Sequence, residues 1–157
     1  MIWFTSDWHL RHENIIKYCS RPFNSIKQMD NSIINLFNST VANEDIVYFL
    51  GDLTLSNDKI WIEKIIKNLK GEKHLIVGNH DKLNLFDYVK LGFLSVHTSL
   101  ELDHFALVHD PVFFTRQKTI LCGHVHNLFK IQKNVINVGI DVWEFKPVSY
   151  ETIKVLI

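Results

Sequence analysis

The 157-residue sequence predicts an α/β fold, on three observations. Short apolar runs alternate with amphipathic stretches of helical period through the first half. The apolar runs each end in Gly, Asp, Asn or His, as strands do when the chain leaves a core. The hydrophobic share, 46%, is enough for one domain to bury a real core.

The elements can be justified in order. MIWFTS reads as a short buried strand. Residues 25–40 place Ile26, Met29, Ile33, Ile34 and Phe37 at helical spacing. DIVYFLGD is a second apolar strand running into a Gly-Asp turn. Residues 56–69 are again helical, with a stripe of Ile60, Trp61, Ile65, Ile66 and Leu69 and with Ser56 or Asn57 as the cap. KHLIVGNHD is a third strand, and strand–helix–strand–helix–strand argues for βαβ units around a parallel sheet. The second half differs. FLSVHTSLELDHFALVHDP has the pattern of an antiparallel pair turning near Asp103, TILCGHVH is another short strand, and NVINVGIDV and VSYETIKVLI predict further strands. With no repeats and no linker-like tract, residues 1–157 are expected to form a single domain.

Composition excludes several classes. Lys plus Arg and Asp plus Glu are 17 each, so no polybasic surplus marks a constitutive nucleic-acid binder. Cys19 and Cys122 form no C-x-x-C unit and fit reduced thiols in a cytoplasm. No run approaches the roughly 20 apolar residues of a membrane span. A cleaved leader would remove Asp7 and His9, so the expected location is the cytoplasm of a bacterium or a phage-infected host. Nine histidines remain to be explained.

Position explains them better than number. Asp7 and His9 follow the first strand, Asp52 the second, and Asn79 and His80 the third. His109 ends HFALVH, and His124 and His126 end TILCGHVH. Ligands of open α/β sheets bind outside the carboxyl ends of strands, where all of these residues fall. Gly51, Gly78 and Gly123 each precede one of them and permit tight turns. Carboxylate, imidazole and amide donors together suit Mn, Fe, Ni or Zn. So many groups exceed one ion with an open position and suit two ions sharing a carboxylate, about 3.5–4 Å apart. The D-x-H and H-x-H spacings fit extended segments whose alternate residues point the same way.

In chain order, SDWH, GD, GNHD, a lone His109 and GHVH resemble the signature of the calcineurin-like metallophosphoesterase superfamily, from Asp7 to His126. The resemblance implies two mixed β-sheets packed as a sandwich and flanked by helices, a four-layer fold. It implies two divalent metal ions, with manganese favoured. Asp7, His9 and His126 would hold one, Asn79, His109 and His124 the other, and Asp52 would bridge them. His80 would assist the leaving group while water activated by the two ions hydrolyses a phosphate ester.

Departures narrow the expectation. GDLTLSNDK carries Asp58 but lacks the arginine that follows in protein phosphatases of the superfamily. The chain ends about thirty residues after GHVH, which leaves no room for the cap domain of repair nucleases. It looks most similar to small single-domain bacterial and phage phosphoesterases, whose flanking segments HLRHENIIKYCSRPF and GIDVWEFKPVS resemble, although a glycine is commoner where Arg11 stands. Arg11, His12, Asn14 and Arg21 are candidate substrate contacts. Arg116 and Lys118 could rim the site or form a plain exposed turn, Trp143 could stack on a ring or pack in the core, and His74, His97 and His104 have no expected role. The expected partner is a small phosphate ester or nucleotide-like substrate, with no membrane. The alternatives are a nuclease acting on short or single-stranded nucleic acid and a non-catalytic metal-bearing scaffold.

Overall fold

A computed structural model describes residues 1–113 and 118–157. Among the described residues, ten strands form two five-stranded sheets. The first half builds one sheet from β1 (Ile2–Thr5), β2 (Ile46–Phe49), β3 (Glu72–Ile76) and β4 (Ser95–His97), all parallel. Its connections are α1 (Asn14–Tyr18) and α2 (Ile26–Thr40), then α3 (Lys59–Asn68), then α4 (Leu85–Leu91). The second sheet takes β5 (Ser99–Leu102), β6 (Phe105–Val108), β7 (Thr119–Cys122), β8 (Ile131–Gln132) and β9 (Val135–Asn137), in the order β5-β6-β7-β9-β8. The chain then returns to the first sheet, where β10 (Val148–Ser149) pairs antiparallel with β1 and leads into α5 (Tyr150–Lys154). Both sheets are mixed, as the resemblance implied.

Side-chain alternation divides each strand between two cores. In β2, Val47 and Phe49 join Trp8, Met29, Ile33, Phe37, Ile62, Ile66 and Tyr88 beneath the helices. Tyr48 and the following Leu50 face the other way and meet Phe4, Phe105, Leu107, Leu121 and Ile136 between the sheets. The crossing from sheet to sheet takes a single residue: His97 pairs with Ile76, Ser99 pairs with Val108, and Thr98 lies between. This splits the predicted FLSVHTSLELDHFALVH segment, of which only β5 and β6 form the hairpin about Asp103.

Several sequence expectations shift. α3 is capped by Asp58, whose carboxylate accepts from the Trp61 N–H, rather than by Ser56 or Asn57. Its buried residues are Ile62 and Ile66 with Leu69 beyond, whereas Ile60 is 83% exposed. α4 is an addition to the elements the sequence predicts; Asn84 caps it and Gly92, at φ 121°, ends it. In the C-terminal run only Val148–Ser149 is strand, and a helix follows it, because Ser149 accepts from the Thr152 N–H and Ile153 is buried on the inter-sheet core. No helix among the described residues is long and apolar enough to cross a membrane.

Candidate metal centre

The loops after β1, β2, β3, β6 and β7 converge, and backbone hydrogen bonds hold them together. Asp7 N–H donates to Gly51 O and His9 N–H to Asp52 O, joining the first two loops. Gly123 N–H donates to His109 O and Ile140 N–H to Ser6 O, and the second of these ties one sheet to the other. The geometry is not that of extended segments. Asp7, His9, Asp52, His124 and His126 all have left-handed φ, between 48° and 69°, so the expected strand-like alternation of D-x-H and H-x-H is corrected. Non-glycine residues in that region cost roughly 1–3 kcal/mol each and gather where side chains must be aimed. Two glycines are required for space instead. A Cβ at Gly78 would strike the Asp52 carboxylate, and one at Gly123 would strike Ser6 and Asp7.

The predicted residues meet around Asp52, which is buried. Its Oδ2 lies 3.4 Å from His9 Nε2 and 3.4 Å from His109 Nε2. Oδ1 accepts from the His80 N–H at 2.9 Å. Asp7, His9 and His126 offer donor atoms within 4.8 Å of one another, as do Asp7, Asp52 and His109. Asn79 Oδ1 sits 3.0 Å from His109 Nε2 and 3.1 Å from His124 Nδ1. Asp7 accepts the His124 N–H at 2.9 Å. The His80 ring lies 5.3 Å from that of His9.

These donors fit divalent cations. His9 Nε2 is buried and finds no hydrogen-bond partner among the described residues, although it points at the Asp52 carboxylate. An orphaned buried nitrogen is costly unless something binds it. His109 Nδ1–H donates to Leu50 O at 2.7 Å, which directs its other nitrogen to the site. Burial holds the His9 imidazole down at about 3, the neutral form a ligand needs. Burial raises the Asp52 carboxyl, but the His109 contact, the His80 N–H and His9 together bring it to about 2. Burial likewise depresses His109, yet Asp52 and Asp7 outweigh it and lift the ring to about 9. Such a cage of carboxylates around imidazoles attracts positive charge, whether protons or metal ions.

The substrate-side candidates are placed unequally. His12 reaches the site, half-buried, with Nδ1 3.4 Å from His9 Nδ1. Arg11 turns away, stacking 3.9 Å over Trp61 and pairing with Asp58 at 3.3 Å. Asn14 is exposed as the first residue of α1. Arg21 corrects the expectation of a substrate contact: its side chain is 0% exposed and grips Asp141 at 2.7 Å. Trp143 is half-buried, donating to Asn137 O with Lys130 over its ring. Lys118 pairs with Glu101 at 2.7 Å, and Arg116 lies outside the described residues. His74 and His97 share Ser95 as a hydrogen-bond partner away from the ligand set.

Sequence reasoning missed two carboxylates. Asp81 accepts from the backbone N–H groups of Asp52, Leu53 and Gly78, bracing the Asp52 loop. Asp141 accepts from His126 Nδ1 at 3.0 Å. Asp81 closes GNHD and Asp141 lies in GIDV, but each holds a ligand residue or its loop in place, a role that residue type and spacing do not reveal. Beside Asn79, His109 and His124 opens a cavity of about 500 Å³, lined further by Val77, Thr98, Ser99, Val108 and Asp110.

Comparison with known proteins places the chain in a family. The family model of the calcineurin-like phosphoesterases matches residues 1–144. The chain belongs to the calcineurin-like phosphoesterase family. Membership implies metal-dependent phosphoester hydrolysis, and divalent metals are usual in this family. Among relatives, an uncharacterized protein of Methanocaldococcus jannaschii is 34% identical, over 99% of this chain and 90% of its own length. The gene 66 protein of Mycobacterium phage L5 is 27% identical, covering 90% of this chain and 86% of the phage protein. The crystal structure of a protein of unknown function from Aquifex aeolicus aligns with TM-score 0.75 at 28% identity, over 100% of this chain and 99% of that one.

Proposed function

We propose that this calcineurin-like phosphoesterase is a dinuclear-metal enzyme hydrolysing a small phosphate ester, preferentially a phosphodiester or nucleotide-like one. The observation that carries the proposal is Asp52, whose Oδ2 stands at the same 3.4 Å from a nitrogen of each of two ligand groups. Asp7, His9 and His126 form one group, Asn79, His109 and His124 the other, and Asp52 is the bridge. The donor set suits Mn, Fe, Ni or Zn, with Mn favoured. When bound, two such cations acidify water and offset the charge that builds on a phosphoryl group.

The chain's own residues supply the rest. Asp52 Oδ1 holds the His80 backbone, and thereby the His80 ring, beside His9. From there His80 donates a proton to the departing oxygen, a contribution of about 10²–10⁴-fold. His12, on the same side, is placed to contact the phosphate. The cavity of about 500 Å³ next to the Asn79 group has room for a nucleoside-sized substituent. Its Thr98 and Ser99 hydroxyls and Asp110 carboxylate offer partners to hydroxyl or amine donors.

The test is a panel of divalent metals against an aryl phosphomonoester, an aryl phosphodiester, cyclic nucleotides and short oligonucleotides. Diester turnover requiring metal is expected. His80→Ala should bind metal as the wild type does while turnover falls about 10²–10⁴-fold. A metal-loaded wild type that cleaves none of these esters would overturn the proposal.

A further inference from the structure

We propose that Arg21 and Asp141 are positioning residues of the metal centre, a buried brace that fixes His126 and the Asp7–Trp8 backbone. The inference rests on the ligand assignment above and extends it to two residues with no expected metal role. Arg21 follows α1, and Asp141 lies in the short 3-10 helix Ile140–Val142, 120 positions along the chain. Their side chains are 0% and 2% exposed.

The contacts engage all three nitrogens of the guanidinium. Nε donates to Asp141 Oδ1 at 2.7 Å and Nη2 to Asp141 Oδ2 at 3.0 Å. Nη2 also donates to Asp7 O at 2.7 Å, and Nη1 donates to Trp8 O at 2.9 Å. One planar fork therefore holds the backbone on which Asp7 sits and the carboxylate that accepts His126 Nδ1–H at 3.0 Å. With Nδ1 committed to Asp141, the lone pair of His126 resides on Nε2, the tautomer suited to a cation. The left-handed φ of Asp7, 60°, and of His126, 48°, shows why a brace is needed, since unaided backbone would relax from that region.

Cys19, His126 and Asp141 could be read instead as a third cation site, since their donor atoms lie within 4.8 Å. The guanidinium already engages both Asp141 oxygens, so a divalent ion there would meet a fixed positive charge. The brace is the better account of the cluster.

Metal titration by calorimetry on the full chain tests it. Wild type is expected to bind two equivalents of Mn. In Asp141→Asn one equivalent should weaken about 10–100-fold and the other stay within about threefold. Arg21→Lys should show the same selective loss, because an ammonium lacks the fork. Should the unpaired guanidinium unfold Asp141→Asn, the double replacement Arg21→Met with Asp141→Leu removes both charges together. That variant should melt near wild type and still lose one tight equivalent. A folded variant that binds both equivalents like wild type overturns the brace alone. A wild type that binds no divalent cation overturns the ligand assignment and the brace with it.

Discussion

A methyl group at Gly78 would run into the Asp52 carboxylate and its backbone N–H, although φ at Gly78 is not left-handed. Gly78→Ala should therefore cost about 1–3 kcal/mol through crowding, read by urea unfolding, and should also weaken metal binding. An alanine of wild-type stability would mean that the Asp52 loop moves freely. Residue types at this scale were legible. Asp7, His9, Asp52, Asn79, His80, His109, His124 and His126 all follow or end apolar strands in the sequence, and all gather in one place. The left-handed backbone of Asp7, His9, Asp52, His124 and His126 was not legible, because aspartate and histidine carry no local signal that forces positive φ.

α3 shows what period alone leaves open. Two apolar series run along it, Trp61 with Ile65 and Ile62 with Ile66 and Leu69, and Ile60 adds a third option. Only contact with the sheet chooses between them, and it chooses the second. Ile62→Ala should cost about 2–5 kcal/mol, while Ile60→Ala should fall within about 0.5 kcal/mol, both read by denaturant unfolding. Equal losses at the two positions would refute this packing. The end of the chain carries the same lesson. VSYETIKVLI is rich in β-branched residues, yet the Ser149 cap and the burial of Ile153 make α5.

At the scale of the whole molecule, the site is where two sheets meet. Asp7, His9, Asp52, Asn79 and His80 come from the first, and His109, His124 and His126 from the second, with the Ser6–Ile140 hydrogen bond joining them. Cations held by both should stabilise the folded chain. Metal at 100 times its dissociation constant is expected to add about 2.7 kcal/mol, measured as a rise in melting temperature reversed by a chelator. An unchanged melting temperature would sink the idea that the folded state binds metal at this junction.

The sequence by itself determined the alternation of elements, the strand ends and the donors that collect there, because strand period and turn residues are written within a few positions of one another. Only the tertiary structure decided the roles of the two arginines near the first ligand pair. Arg11 lies over Trp61 of α3, and Arg21 is buried against Asp141. A basic residue in a loop reads the same whether it meets substrate, an aromatic ring or a carboxylate. The partner that settles it lies far along the chain, where only the packing of the two sheets brings it near.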